Sequence, residues 1–523
     1  MTFSPRLDLL IKSGYSALLQ AGQKGLEKES LRIDSSGLIA RTDHPDSLGS
    51  ALTHDSITTD YSESLIELIT PPFSRSESTL NALAELHRFV YENIGDEMLL
   101  ATSIPIGIKG DQSIPIARYG SSNIGRMKHI YRRGLSYRYG RTMQAIAGLH
   151  YNYSFNVDLW RALSDLEEYP GSVEDYTNDA YFSVVRNVHR YGWILIYLFG
   201  CSPAIPRDFF HDRPELAARF DAKYPDTLSL PYATSLRMSD IGYRNDSQNS
   251  LEIGFNSLDD YVETLTQAIR QKHDPYSRIG IKVEGEYRQL SDAILQIENE
   301  YYSLVRPKQV AHSGEKPTLA LKRRGVRYLE LRAMDLQCYE ADGIGHEASA
   351  FLEVFVVWCL MRNSPPISPQ HLAETGANHL KVACCGRSPD ASLLKNGEEI
   401  SLKAFAEEIL REMEVIAELL DAARPDSPHQ NAIRMQSPKI EDPALTPSAQ
   451  VLETLKKDRI SFQDFAMDLT RGHADYWRAL PLEDTRRTIL IQQALESRER
   501  QLEIESRDQL DFDEFLKAYR AQT

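Results

Sequence analysis

Cysteine is scarce in this 523-residue chain, and basic charge is outnumbered. The five cysteines are Cys201, Cys338, Cys359, Cys384 and Cys385, and no two have CxxC spacing. That excludes a zinc knuckle or a thioredoxin-type motif, and it fits a reducing cytosol. Lys and Arg number 59 against 75 Asp and Glu, a formal net charge of -16. The basic footprint of a nucleic-acid binder is missing, and an acidic surface repels anionic lipid. A small anionic substrate would need a local cationic pocket or a bound metal. The longest uncharged run, 191–206, is broken by Gly192, Gly200 and two prolines. It falls short of the ~20 residues of a membrane span. The first 20 residues read as a short amphipathic helix interrupted by Arg6, Asp8 and Lys12, without the apolar centre of a signal peptide. There is no internal repeat and no GxxxxGK[ST] phosphate loop; Gly343-Ile-Gly345 lacks a preceding strand and reads as a loop.

What remains is a globular composition, 42% hydrophobic and 26% charged, with enough chain for a large core. Residues 1–370 mix strand and helix patterns and are expected to form a catalytic core. Residues 371–523 are expected to be a mainly helical region packed on it. Period-two alternation predicts strands over 25–33, 64–70, 148–157 and 326–333, and a hairpin over 281–289 turning at Glu284–Gly285. Leu80, Leu83, Leu86 and Val90 mark a helix ending near Gly95. Helices are also expected over 398–423 and 484–509. Five prolines between Arg424 and Pro447 suggest a long loop. The spacing is irregular and rich in hairpins, so the fold class is α+β, an antiparallel sheet with flanking helices.

Several strands place acids where core residues belong. Glu27 and Glu29 share a face with Leu31 and Ile33. Glu67 sits within an apolar strand, and Asp60 precedes it in a Ser/Thr-rich turn. In 148–157, His150, Asn152, Ser154 and Asn156 face away from Leu149, Tyr151, Tyr153 and Phe155. Glu330 and Arg332 share a face of the last strand. Each segment alone also fits a solvated or ion-paired strand. Together they offer carboxylates with one imidazole, a donor set suited to Mg²⁺ or Mn²⁺ and so to nucleotide chemistry. Basic and aromatic residues alternate through 128–144, including Tyr131, Arg132 and Arg138. Arg237, Tyr243, Tyr302, Arg306 and Lys308 add to them in two later segments. At this net charge, an anionic small molecule is the better partner than RNA.

The ordered blocks GLEKESLR, ITTDYSESLIELITP, YGSSNIGRMKHIYRRGL, YGRTMQAIAGLHYNYS, LPYATSLRMSDIGY, QIENEYYSLVRPK and YLELRAMD resemble the bacterial glutamate–cysteine ligase family. The resemblance implies a glutamine-synthetase-like antiparallel sheet forming a funnel-shaped active site. It also implies ATP-dependent joining of the L-glutamate γ-carboxylate to the amine of L-cysteine through a γ-glutamyl phosphate. A related ligase with another amine acceptor is the alternative. The implied metal ligands for Mg²⁺, or Mn²⁺, are Glu27, Glu29, Asp60, Glu67, His150 and Glu330. Arg332 would meet the transferring phosphate of ATP, and Arg237 a substrate carboxylate. Tyr131, Arg132, Leu135, Gln144, Tyr243 and Tyr302 would line the cysteine side. Tyr61 would stand near the thiol, where the family commonly has Phe. The expected partners are L-glutamate, L-cysteine and ATP, with no nucleic acid and no membrane, for a cytoplasmic monomer.

Overall fold

The computed structural model describes residues 2–242 and 251–522. Its centre is an antiparallel sheet of seven strands: β1 (Gln23–Ile33), β2 (Ile57–Thr59), β3 (Leu65–Ile69), β4 (Met98–Leu99), β5 (Leu149–Ser154), β6 (Val305–Lys308) and β7 (Tyr328–Met334). The order is β6–β7–β5–β1–β3–β2, with β4 pairing the end of β1. The alternation read in the sequence therefore holds for β1, β3, β5 and β7. The fifth strand ends earlier than 157, because Asn156 caps the helix that begins at Val157 by accepting from the Asp158 N–H. The hairpin turns where expected, with Glu284 and Gly285 both at positive φ.

One face of the sheet carries the main core. Four helices cover or flank it: α1 (Ser76–Asn93), α3 (Val173–Tyr191), α4 (His346–Met361) and α5 (Leu402–Leu420); α2 (Asn123–Tyr139) instead stands over the opposite face. From Ala348 to Met361 every residue of α4 is buried. Such an all-round apolar helix requires protein on every side. Residues beyond 370 are mainly helical, with one hairpin, Ser392–Lys395 with Glu398–Ser401, that takes the first residues expected of α5.

The expected loop at 424–447 is instead a chain of short helices. They begin with α6 (Pro428–Gln436), followed by Pro438–Glu441 and Pro443–Leu445. Each starts on a proline, the residue whose fixed φ and missing N–H suit a first helical turn. The prolines mark starts here, not a break. Further on lie α7 (Phe462–Ala479), α8 (Asp484–Arg507) and α9 (Phe512–Ala521). Among the described residues no helix is long and apolar enough to cross a membrane.

The core face of β1 is unusual in carrying cations. Lys24 is 2% exposed and holds both oxygens of Glu353 on α4, at 2.6 and 2.7 Å. Lys28 lies 2.8 Å from His87 on α1, and burial brings its pKa down to about 8 against the pull of Asp342. Arg32 is bound to Glu97 at 2.6 Å. Glu353 also meets His429 at 3.1 Å, and His429 meets Asp421 at 2.6 Å. Burial opposes the charge on His429, but its bonds to Asp421 and Glu353 outweigh it, so its pKa is raised. A raised histidine contributes stability below the unfolded value near 6.5 and loses it as pH rises through the folded value. The melting-temperature gap between wild type and His429→Gln should therefore be widest in mild acid and close at alkaline pH. A gap that widens with pH would contradict this assignment.

Candidate active site

The register of the sheet assembles the acids on its other face. Glu27 pairs with His150 across β1 and β5, Glu29 with Glu67 across β1 and β3, and Glu330 with Asn152 across β7 and β5. Side chains directly opposite on one face stand ~5 Å apart, so cross-strand pairing alone brings residues from four distant segments together. His150 Nδ1 is 3.1 Å from Glu27 and 3.7 Å from Glu330, and its Nε2 is 3.6 Å from Glu29. Donor atoms of Glu27, His150 and Glu330 all lie within 4.8 Å of one another. Asn152 Nδ2 donates to Glu27 Oε1 at 2.8 Å, and the Gly148 N–H to Glu29 Oε2 at 2.5 Å.

Cations border the acids without neutralising them. Lys308 and Arg332 sit 3.2 and 3.1 Å from the two oxygens of Glu330. Burial works against the Glu330 charge, but Lys308 and Arg332 overcome it and hold the carboxyl well below its usual range. Glu67 makes no ion pair among the described residues, the charge of Lys128 reaching it only from across the cleft. Burial first, then the charges of Glu27, Asp60, Glu29 and Glu330, push it far up. Burial and Asp60 raise Glu29 to about 8 despite Arg237 and Arg332. His150 is lowered by burial and by Arg332 against the pull of Glu27 and Glu330, which favours the neutral imidazole a metal ligand needs. Its buried Nε2 has no hydrogen-bond partner among the described residues. An orphaned imidazole nitrogen amid surplus carboxylate oxygens fits a hard divalent cation such as Mg²⁺ or Mn²⁺.

These residues form the floor of a cleft of ≈ 430 Å³. One wall is α2, with Lys128, Tyr131, Arg132 and Leu135. Arg132 lies over the ring of Tyr119, 4.7 Å from its centroid, and bonds the Asp60 carbonyl. Burial, with Arg132 adding to it, lowers Lys128 to about 8. Asp60, Tyr61, Gln144 and Tyr302 also line the cleft.

Two expected residues are not in this lining. Tyr243 lies outside the described residues. Arg237 is fully buried beneath the floor, where its guanidinium donates to the Arg332 carbonyl at 3.1 and 3.2 Å and stands 3.9 Å from Asp335. Gly148 makes room for it: a Cβ there would fall 2.1 Å from Arg237 Nη2. Other lining residues went unread in the sequence. Thr58 lies opposite Glu67 in β2. Glu300 accepts from Arg138 at 2.8 Å and from the Tyr139 hydroxyl at 2.7 Å. Tyr519 comes from the far end of the chain. Only Glu300 had a local sign, an acid directly before the Tyr301–Tyr302 pair.

Residues 7–382 match the family model described as glutamate-cysteine ligase. This chain belongs to the glutamate–cysteine ligase family. Curated members from Alcanivorax borkumensis and Pseudomonas putida, both named glutamate–cysteine ligase, are each 44% identical to it. The first aligns over 98% of both chains, the second over 96% of this chain and 95% of its own. A crystal structure of glutamate–cysteine ligase from Francisella tularensis, solved in complex with AMP, superposes with a TM-score of 0.90 at 36% identity. It covers 96% of this chain and 97% of that one. A bifunctional glutathione synthetase from Pasteurella multocida gives 0.72 at 26% identity, this chain spanning 54% of it.

Proposed function

We propose that this family member joins the γ-carboxylate of L-glutamate to the amine of L-cysteine with cleavage of ATP to ADP and phosphate, the first step of glutathione synthesis. The observation that carries the reading is the strand-borne cluster of Glu27, His150 and Glu330 facing the cationic α2 wall across one cleft.

A carboxylate repels nucleophiles. Attack of a γ-carboxylate oxygen on the terminal phosphorus of ATP breaks the bond to the bridging oxygen, releases ADP and gives γ-glutamyl phosphate. The amine of cysteine then adds to the carbonyl, phosphate departs with the C–O electron pair, and the nitrogen loses its proton. Arg332, 13% exposed in its side chain and 3.1 Å from Glu330, would contact the transferring phosphoryl group. Arg237 supports Arg332 from beneath. Glu27, His150 and Glu330, with Glu29, Asp60 and Glu67 beside them, would hold Mg²⁺ or Mn²⁺, which when bound neutralises phosphate charge. Tyr131, Arg132, Leu135, Gln144 and Tyr302 would receive cysteine, with Tyr61 by the thiol. Rigid strands suit a reaction whose acceleration is mostly positioning and electrostatics.

Every lining residue except Tyr519 comes from residues 1–370. That supports a catalytic part there and a helical cover over 371–523. An ATP substrate, a thiol substrate and few cysteines support a cytoplasmic setting, and one chain supplies every group invoked.

The test is mass spectrometry of the products from ATP, cysteine and glutamate labelled with ¹⁸O in its γ-carboxylate. The expected outcome is γ-glutamylcysteine with one label in the phosphate. Ligation only to a different amine would replace the acceptor, and unlabelled phosphate would exclude the acyl phosphate. Loss of a hydroxyl bond to a charged group costs roughly 1.5–3 kcal/mol, so Tyr302→Phe should raise KM for cysteine about tenfold with little change for ATP. Equal changes in both constants would remove Tyr302 from the acceptor side.

A further inference from the structure

The cleft wall on α2 is anchored in two different ways. Its C-terminal half reaches the main core through Leu135. Its N-terminal half does so only through the partly buried Tyr131. Met127 and Ile130 are buried in a small separate cluster with Leu290 and with Phe512, Leu516 and Tyr519 of α9. The half that presents Lys128, Tyr131 and Arg132 to the cleft thus owes its apolar support largely to the end of the chain.

The same segment grips α2 at its first turn. Asn123 Nδ2 donates to the Leu510 carbonyl at 2.9 Å, and the Asn123 N–H to the Asp508 carboxylate. It then reaches the opposite wall. Lys316 Nζ donates to the carbonyls of Arg520 and Gln522 at 2.9 and 3.0 Å. The Lys316 N–H donates to Gln522 Oε1 at 3.1 Å, and Gln522 Nε2 to the Gly314 carbonyl at 2.7 Å. Gly314, Glu315 and Pro317 line the cleft, and so does Tyr519 itself. One stretch of chain therefore joins two walls that the sequence places far apart.

We propose that residues 508–522 form a positioning clasp that fixes the N-terminal half of α2 against the 314–317 loop, and so sets the width of the amine-acceptor end of the cleft. The physical reason is economy of contact. A helix half-anchored in the main core can tilt at its other end without unfolding the sheet, and residues 508–522 remove that freedom by burying three large side chains and closing four hydrogen bonds to the facing loop. Tyr519 and Gln522 are positioning residues: they act through Tyr131, Arg132 and the loop. The inference rests on the acceptor site proposed above for its kinetic consequence, but its structural content does not.

Two measurements on the full chain separate those parts. Leu516→Ala/Tyr519→Ala undocks α9, Gln522→Ala frees only the loop, and Tyr519→Phe keeps the packing ring. Hydrogen exchange should speed at least about tenfold over residues 123–131 in the double variant and over 314–317 in Gln522→Ala, with β1 and β5 unchanged. Unchanged exchange at both places overturns the clasp whatever the substrate. KM for cysteine should rise about tenfold or more in the double variant and about threefold in Gln522→Ala. KM for glutamate should hold within about twofold, and Tyr519→Phe should behave as wild type. A fall in kcat with every KM unchanged, matching a smaller folded fraction, would make α9 structural only and overturn the proposal. Failure of the wild type to form γ-glutamylcysteine, with exchange responding as described, would sink the acceptor assignment and leave the clasp standing. Should the double variant not fold, Gln522→Ala carries both readouts.

Discussion

Glutamine at position 27 or 330 is expected to cut turnover at least about a hundredfold while the protein stays folded. The substitution keeps side-chain size and removes one negative charge from a donor set whose atoms lie within 4.8 Å of one another. Metal stabilisation of developing phosphate charge contributes several kcal/mol, and about 2.7 kcal/mol corresponds to a hundredfold. Glu27 is partly exposed in the cleft, and Glu330, though buried, faces the cleft rather than the main core, so circular dichroism should report a retained fold. Glu330→Gln should be the more severe, because it also releases Lys308 and Arg332 from a shared partner. Near-normal turnover in both variants would detach the acid cluster from the reaction.

The largest loss of stability is expected behind the sheet, at Glu353. Its side chain is 3% exposed and answers Lys24 and His429 together. Glu353→Ala leaves both as buried cations without that partner. Removing one member of a buried ion pair typically costs ~3–5 kcal/mol, because the remaining charge keeps its desolvation penalty. Among the described residues Lys24 Nζ would keep one hydrogen bond, to the Ser74 carbonyl at 2.7 Å. Urea unfolding at neutral pH measures the loss. A Lys24→Met/Glu353→Leu double variant should recover much of it, since well-packed apolar groups replace buried ion pairs at little cost. A loss under about 1 kcal/mol for Glu353→Ala would show that water or a shifted partner satisfies Lys24.

The parts of the sheet that bear the site were legible because period-two alternation is a local property. Glu27, Glu29, His150 and Glu330 each fall on a face that their own strand defines. What no single strand reveals is which strand lies beside which. The meeting of Glu27 with His150, and of Glu29 with Glu67, depends on pairing across long stretches of chain. The cationic core face of β1 was hidden for a related reason: Lys24, Lys28 and Arg32 look like solvated positions until Glu353, His87 and Glu97 are seen opposite them. In the 424–447 segment, proline as a helix breaker and proline as a helix starter have the same one-letter signature, and only neighbouring packing distinguishes them. Glu300 and Tyr519 escaped because neither lies in a patterned strand. Arg237 was expected at a substrate carboxylate, and its burial was not legible, since a glycine 89 positions earlier creates its space.

Strand β1 has the acids Glu27 and Glu29 on one side and the buried cations Lys24, Lys28 and Arg32 on the other. Its length is therefore as constrained as its composition. A single residue inserted between Glu27 and Lys28 would turn every later side chain over. Glu29 would face the helices and Lys28 the cleft, so one codon would put a wrong-signed charge on both surfaces at once. Substitutions in this strand can be graded in their effect; insertions and deletions cannot. Among descendants of this sequence, β1 should keep its residue count while the surface hairpin at 392–401 gains and loses residues freely.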